Sequence, residues 1–61
     1  MIKVKLFDTE HEKDLEVEIN YFLEDLEEHQ LVDIKYNVAA MPEEDDDEQI
    51  YCFSAMVIYR K

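Results

Sequence analysis

Along the chain, apolar and polar positions fall into four segments. Ile2, Val4 and Leu6 alternate with Lys3, Lys5 and Phe7. This period of two marks a half-buried strand, which Asp8 and Thr9 close. Thr9 and Glu12 have the spacing of a capping box, in which a hydroxyl and a carboxylate satisfy the first free backbone N–H groups of a helix. A helix is therefore expected from Glu10 to His29. Its apolar stripe is Leu15, Ile19, Phe22, Leu23 and Leu26, spaced on a 3.6-residue period, with Val17 and Tyr21 off the stripe. A second strand is expected from Leu31 to Ala40, where Val32, Ile34, Tyr36 and Val38 alternate with Asp33, Lys35 and Asn37. Met41 to Glu48 reads as a loop. Ile50 to Arg60 is almost continuously apolar, which suits a central strand covered on both faces.

The order strand, helix, strand, strand predicts an α+β fold of β-α-β-β type. Its sheet has three antiparallel strands in the order 1-3-2, with one helix packed on one face. The outer strands then carry Lys3, Lys5 and Lys35, and charged edges resist further strand addition. Placing the second strand at the centre instead buries Asp33 and Lys35 more deeply, so that order ranks lower. The third strand offers Phe53, Ala55 and Val57 on one side and Cys52, Met56 and Ile58 on the other. The Phe53 side is the one expected beneath the helix. One helix covers one face, so an apolar patch stays open on the other, and such a patch usually marks an interface.

Composition sharpens this picture. Residues 1–61 form a single domain, and a chain of this length buries only about 60% of its unfolded surface. There are 17 acidic and 6 basic residues, for a net charge of −11, which argues against nucleic acid and anionic membranes as partners. A hydrophobic content of 48%, patterned rather than scattered, argues against disorder. Cys52 is the single cysteine, which suits a reducing compartment. No signal-like or membrane-spanning apolar run is present, so a cytoplasmic location is expected. With no glycine, the hairpin between the last two strands should use a long loop.

Candidate chemistry is sparse. His11-Glu12 begins the zinc-protease helix motif, but the position of its second histidine is Leu15. The run Glu43, Glu44, Asp45, Asp46, Asp47, Glu48 lacks the alternating ligands and central glycine of a calcium loop, and reads as a solvated hairpin loop. Cys52 has no base beside it in sequence and reads as a core or interface thiol. His29 suits a helix C-terminus, where a cation favours the dipole. Tyr51, Phe53 and Tyr59 lie on a strand as in base-stacking sheets, but the total charge opposes a polyanion. No catalytic, metal or cofactor residue is assigned, and no enzyme is expected.

The expected helix breaks one local rule. Acids recur at spacing four in Glu10/Asp14, Glu12/Glu16, Asp14/Glu18 and Glu24/Glu28, each pair costing about 0.2–0.5 kcal/mol. Glu24, Asp25, Glu27 and Glu28 also crowd its C-terminal half, against the dipole. Such an acidic face can mimic nucleic acid and occupy a basic site on a partner protein. The leading expectation is a non-enzymatic interaction module, a homo-oligomer or one that binds a protein partner. Its candidate interface residues are Lys3, Lys5, Lys35, Met56 and Ile58.

Phe7-Asp8, His11-Glu12-Lys13-Asp14-Leu15, Asp33-Ile34-Lys35-Tyr36 and Tyr51-Cys52-Phe53-Ser54-Ala55-Met56-Val57-Ile58-Tyr59 resemble, in pattern and order over nearly the whole chain, a family of small acidic sporulation proteins of Bacillus-type bacteria. That resemblance implies a cytoplasmic role in sporulating cells and transfers no catalytic residue. In architecture alone the chain is similar to the dodecin subunit. Dodecin's flavin site relies on a tryptophan in the second strand, and this chain has none, so no flavin is expected.

Overall fold

A computed structural model describes residues 1–42 and 49–61. Strand β1 (Ile2–Thr9) leads to helix α1 (Glu12–Leu23), a short 3₁₀ turn (Glu28–Gln30), and the strands β2 (Leu31–Pro42) and β3 (Gln49–Arg60). The sheet is antiparallel, in the order β1-β3-β2. The expected α+β fold and strand order are those observed. The acid run Glu43 to Glu48 and the hairpin connection lie outside the described residues.

Element boundaries differ from the periodicity. β1 continues through Asp8 and Thr9, which pair with Ser54 and Phe53 of β3. Met41 and Pro42 belong to β2, and Gln49 to β3. The capping box expected at Thr9 and Glu12 does not form. His11 is the N-cap with no side-chain bond, while Thr9 Oγ1 donates to the His11 carbonyl at 2.8 Å.

The larger correction is the helix end. α1 stops at Leu23, where the sequence pattern runs on to His29. Asp25 N–H and Leu26 N–H bond to the carbonyls of Phe22 and Leu23, three residues back, which tightens the last turn. Four acids beyond this point oppose the dipole and offer continued helix no support. The chain instead builds its capping box here: Glu27 N–H donates to Gln30 Oε1 at 2.9 Å, and the Glu27 carboxylate accepts the Gln30 N–H. Gln30 Nε2 also reaches the Arg60 carbonyl at 3.2 Å, tying the turn to the end of β3.

The core among the described residues is Phe7, Leu15, Ala55 and Val57, bordered by Ile19, Phe22, Leu23, Phe53 and Tyr59. The Phe53 side of β3 thus meets the helix, as its pattern suggested. Phe22 stands edge-on to both Phe7 and Tyr59, at centroid distances of 5.9 and 5.2 Å. Such pairs add about 0.5–1.5 kcal/mol each beyond area burial. The two off-stripe residues, Val17 and Tyr21, are exposed.

Register assigns the faces. Lys3, Lys5, Phe7 and Thr9 pair with Tyr59, Val57, Ala55 and Phe53, and so share the helix side. The more apolar set of β1, Ile2, Val4 and Leu6, points the other way. A helix is about 10–12 Å across and strands lie about 4.8 Å apart, so one helix covers two strands. α1 packs over β1 and β3, and the helix side of β2 stays uncovered.

Candidate functional site

The open face of the sheet has two ends of different character. At one end Ile2, Val4 and Leu6 are 55%, 53% and 66% exposed, beside half-buried Met56 and Ile58. Leu6, Met56 and Lys35 lie in register across the sheet, as do Val4, Ile58 and Asp33. Lys35 Nζ sits 3.6 Å from Asp33 Oδ2, and Asp33 Oδ1 accepts the Ile34 N–H at 2.8 Å, beside the bulge that interrupts pairing between Leu31 and Asp33. At the other end Asp8, Ser54 and Asn37 align. Cys52 Sγ donates to Asp8 Oδ1 at 2.8 Å, and Ser54 Oγ to the Asn37 carbonyl at 3.5 Å.

Of the five candidate interface residues, the fold brings together Lys35, Met56 and Ile58. Lys3 and Lys5 belong to the opposite face, and Lys5 Nζ lies 6.0 Å from the Phe7 ring centroid, in cation–π range. Their place is taken by Ile2, Val4 and Leu6, which the sequence reading did not single out. The available signal was their alternation with Lys3, Lys5 and Phe7, together with the preference of Phe7 for the core.

The polar end is poor in nucleophilic chemistry. The hydrogen bond to Asp8 pushes the Cys52 thiol above its ordinary value, with burial and the charges of Asp8 and Glu10 adding to it. A catalytic thiol needs the opposite environment. We expect Cys52 to alkylate slowly at mildly alkaline pH, and Asp8→Asn to speed iodoacetamide modification severalfold. An unchanged rate would show that Asp8 does not hold the proton. Among the described residues, no group of three or more His, Cys, Asp or Glu side chains is placed to hold a metal ion.

The acids Glu24, Asp25, Glu27 and Glu28 are exposed. They do not form a row on a helix: Glu24 is the C-cap of α1, Asp25 lies in the turn, Glu27 caps the 3₁₀ turn, and Glu28 begins it. His29, expected at a helix C-terminus, instead places Nδ1 3.4 Å from Glu27 Oε2. Like-charge spacing on a common helix survives only at Glu12/Glu16 and Asp14/Glu18, and Lys13 Nζ sits 3.6 Å from Glu16 Oε2. With no basic residue in its last turn, α1 should gain about 0.3–1 kcal/mol from Glu24→Lys, read as a higher thermal midpoint that fades with added salt.

Comparison with known proteins places the chain. The family model described as sporulation protein Cse60 matches residues 1–61. The chain belongs to the Cse60 sporulation protein family. A relative from Bacillus subtilis (strain 168), the sporulation protein cse60, is 59% identical over 61 residues, covering all of both chains. The family description names a process and no reaction. No solved structure matches. No helix among the described residues is long and apolar enough to cross a membrane.

Proposed function

We propose that this member of the Cse60 family is a non-enzymatic cytoplasmic module that self-associates through the open face of its sheet. The acidic helix and the turn that follows it then face outward, toward solvent or a basic protein partner. The observation that carries this reading is the distribution of charge. Nine of the acids lie between Glu10 and Glu28. Among the described residues, the open-face positions of the strands hold two acids, Asp8 and Asp33, offset by Lys35 and Arg60, the last in register with Ile2. It is therefore where two copies approach with least repulsion, and where Ile2, Val4 and Leu6 gain most from burial.

The mimicry of nucleic acid considered from the sequence needs carboxylates in a regular row, and the break after Leu23 gives it no support. The test of self-association is the solution mass by light scattering at low and high salt. A closed oligomer that persists in high salt is expected, because screening leaves apolar burial intact and weakens repulsion between acidic copies. A monomer at all salts would overturn the reading.

A further inference from the structure

A second apolar surface lies on the opposite side of the sheet. α1 leaves the helix side of β2 bare, and between them runs a groove. Leu15, Ile19 and Leu23 line it from the helix, and Ile34 and Tyr36 from the strand. Ile34 is 38% and Tyr36 57% exposed. Its helix wall runs from Glu12 to Leu23, and its strand wall is the pair Ile34 and Tyr36. Its rim on the helix is Glu12, Lys13, Glu16 and Asn20, with Lys13 held against Glu16. The charged residues of β2, Asp33 and Lys35, pair with Ile58 and Met56 and belong to the other face, so the strand supplies the groove no charge to offset the glutamates.

We infer that this groove is a docking site for an amphipathic helix with a basic polar face, supplied by another protein. Its apolar stripe would lie on Ile19, Leu23, Ile34 and Tyr36, completing the layer that α1 leaves half-built. Its cations would meet Glu12 and compete with Lys13 for Glu16. Charge decides against the simplest alternative occupant. α1 is the one α-helix among the described residues. Docking α1 of a second copy here would bring Glu12, Asp14, Glu16 and Glu18 against the same rim in a chain of net charge −11. A helix from a basic partner reverses the sign of that interaction, and the helix-in-groove mode needs only the i, i+3, i+4 anchors that such a stripe provides.

The probe is a synthetic peptide of about 14 residues, with leucine on one helical face and lysine on the other. Its counterpart carries glutamate in place of lysine. Both are titrated into the isotope-labelled full chain while amide resonances are followed. The lysine peptide should shift Leu15, Ile19, Leu23, Ile34 and Tyr36, and remain bound in high salt. Ile34→Glu and Tyr36→Glu should each weaken it about ten-fold. Both positions are partly exposed, and circular dichroism is the check that each variant is folded. Four results would overturn the inference. These are no binding, equal binding of the glutamate peptide, wild-type affinity in both variants, or shifts confined to Glu24–Glu28 that vanish with salt. A change in the solution mass of Ile34→Glu would also overturn it, because a second copy would then be the occupant. The groove and the open face lie on opposite sides of the sheet, so failure here leaves self-association untouched.

Discussion

Leu15→Ala should leave this protein largely unfolded at physiological temperature. Four residues are buried among the described residues, and Leu15, at 2% exposure, is the one that α1 supplies. Removing a buried leucine side chain costs about 2–5 kcal/mol, because the site loses transfer free energy and collapses only partly. A single core in a chain this short supplies roughly 3–5 kcal/mol of net stability. The loss is therefore comparable with the whole. Circular dichroism against temperature and urea would read it as a lost or strongly lowered transition. Val17→Ala provides the contrast. Val17 lies on the same helix, 67% exposed, and its truncation should change stability by less than about 0.5 kcal/mol. Equal effects at the two positions would show that α1 does not pack as described.

The second large effect concerns the open face. The double variant Val4→Glu, Leu6→Glu should reduce the solution mass to that of one chain while keeping the circular dichroism of the parent. Both side chains are more than half exposed in the single chain, so the fold tolerates charge there. In a face-to-face assembly they would be buried, and an unpaired carboxylate in an apolar contact is strongly unfavourable. Lys3→Glu serves as the control. Lys3 is paired with Tyr59 and lies on the helix side, so its reversal should leave the mass unchanged. If instead Lys3→Glu dissociated the assembly and the double variant did not, the association surface would be the helix side.

Much of the architecture was legible in the pattern. Period-two runs marked the first two strands, and the almost continuous apolar run of the third marked its central place. The stripe Leu15, Ile19, Phe22 and Leu23 marked the helix face that packs on the core. The helix end was not legible in the same way. Leu26 continues the 3.6 period and is half-buried, yet it lies in a bend beyond the helix. Periodicity records which residues are buried, and a tight turn can bury Leu26 as well as another helical turn can. The Glu27–Gln30 capping box was a usable signal, at the same three-residue spacing as the box expected at Thr9 and Glu12.

The candidate interface was legible only in part. Met56, Ile58 and Lys35 share a face because β3 and β2 alternate in register. Lys3 and Lys5 do not join them, since the phase of β1 follows from Phe7. That ring packs against Phe22, and the competing set Ile2, Val4 and Leu6 has no aromatic partner across the sheet.

By itself the sequence determined the number, type and order of the elements, the central position of β3, and the separation of most acids from the strands. These follow from local periodicity and side-chain chemistry, which each segment carries alone. Tertiary structure decided which face of β1 meets the helix, where α1 ends, and which apolar surfaces remain open. Each of those depends on how segments distant in sequence pack, and on a size mismatch: one helix is wide enough to cover two strands of a sheet that has three.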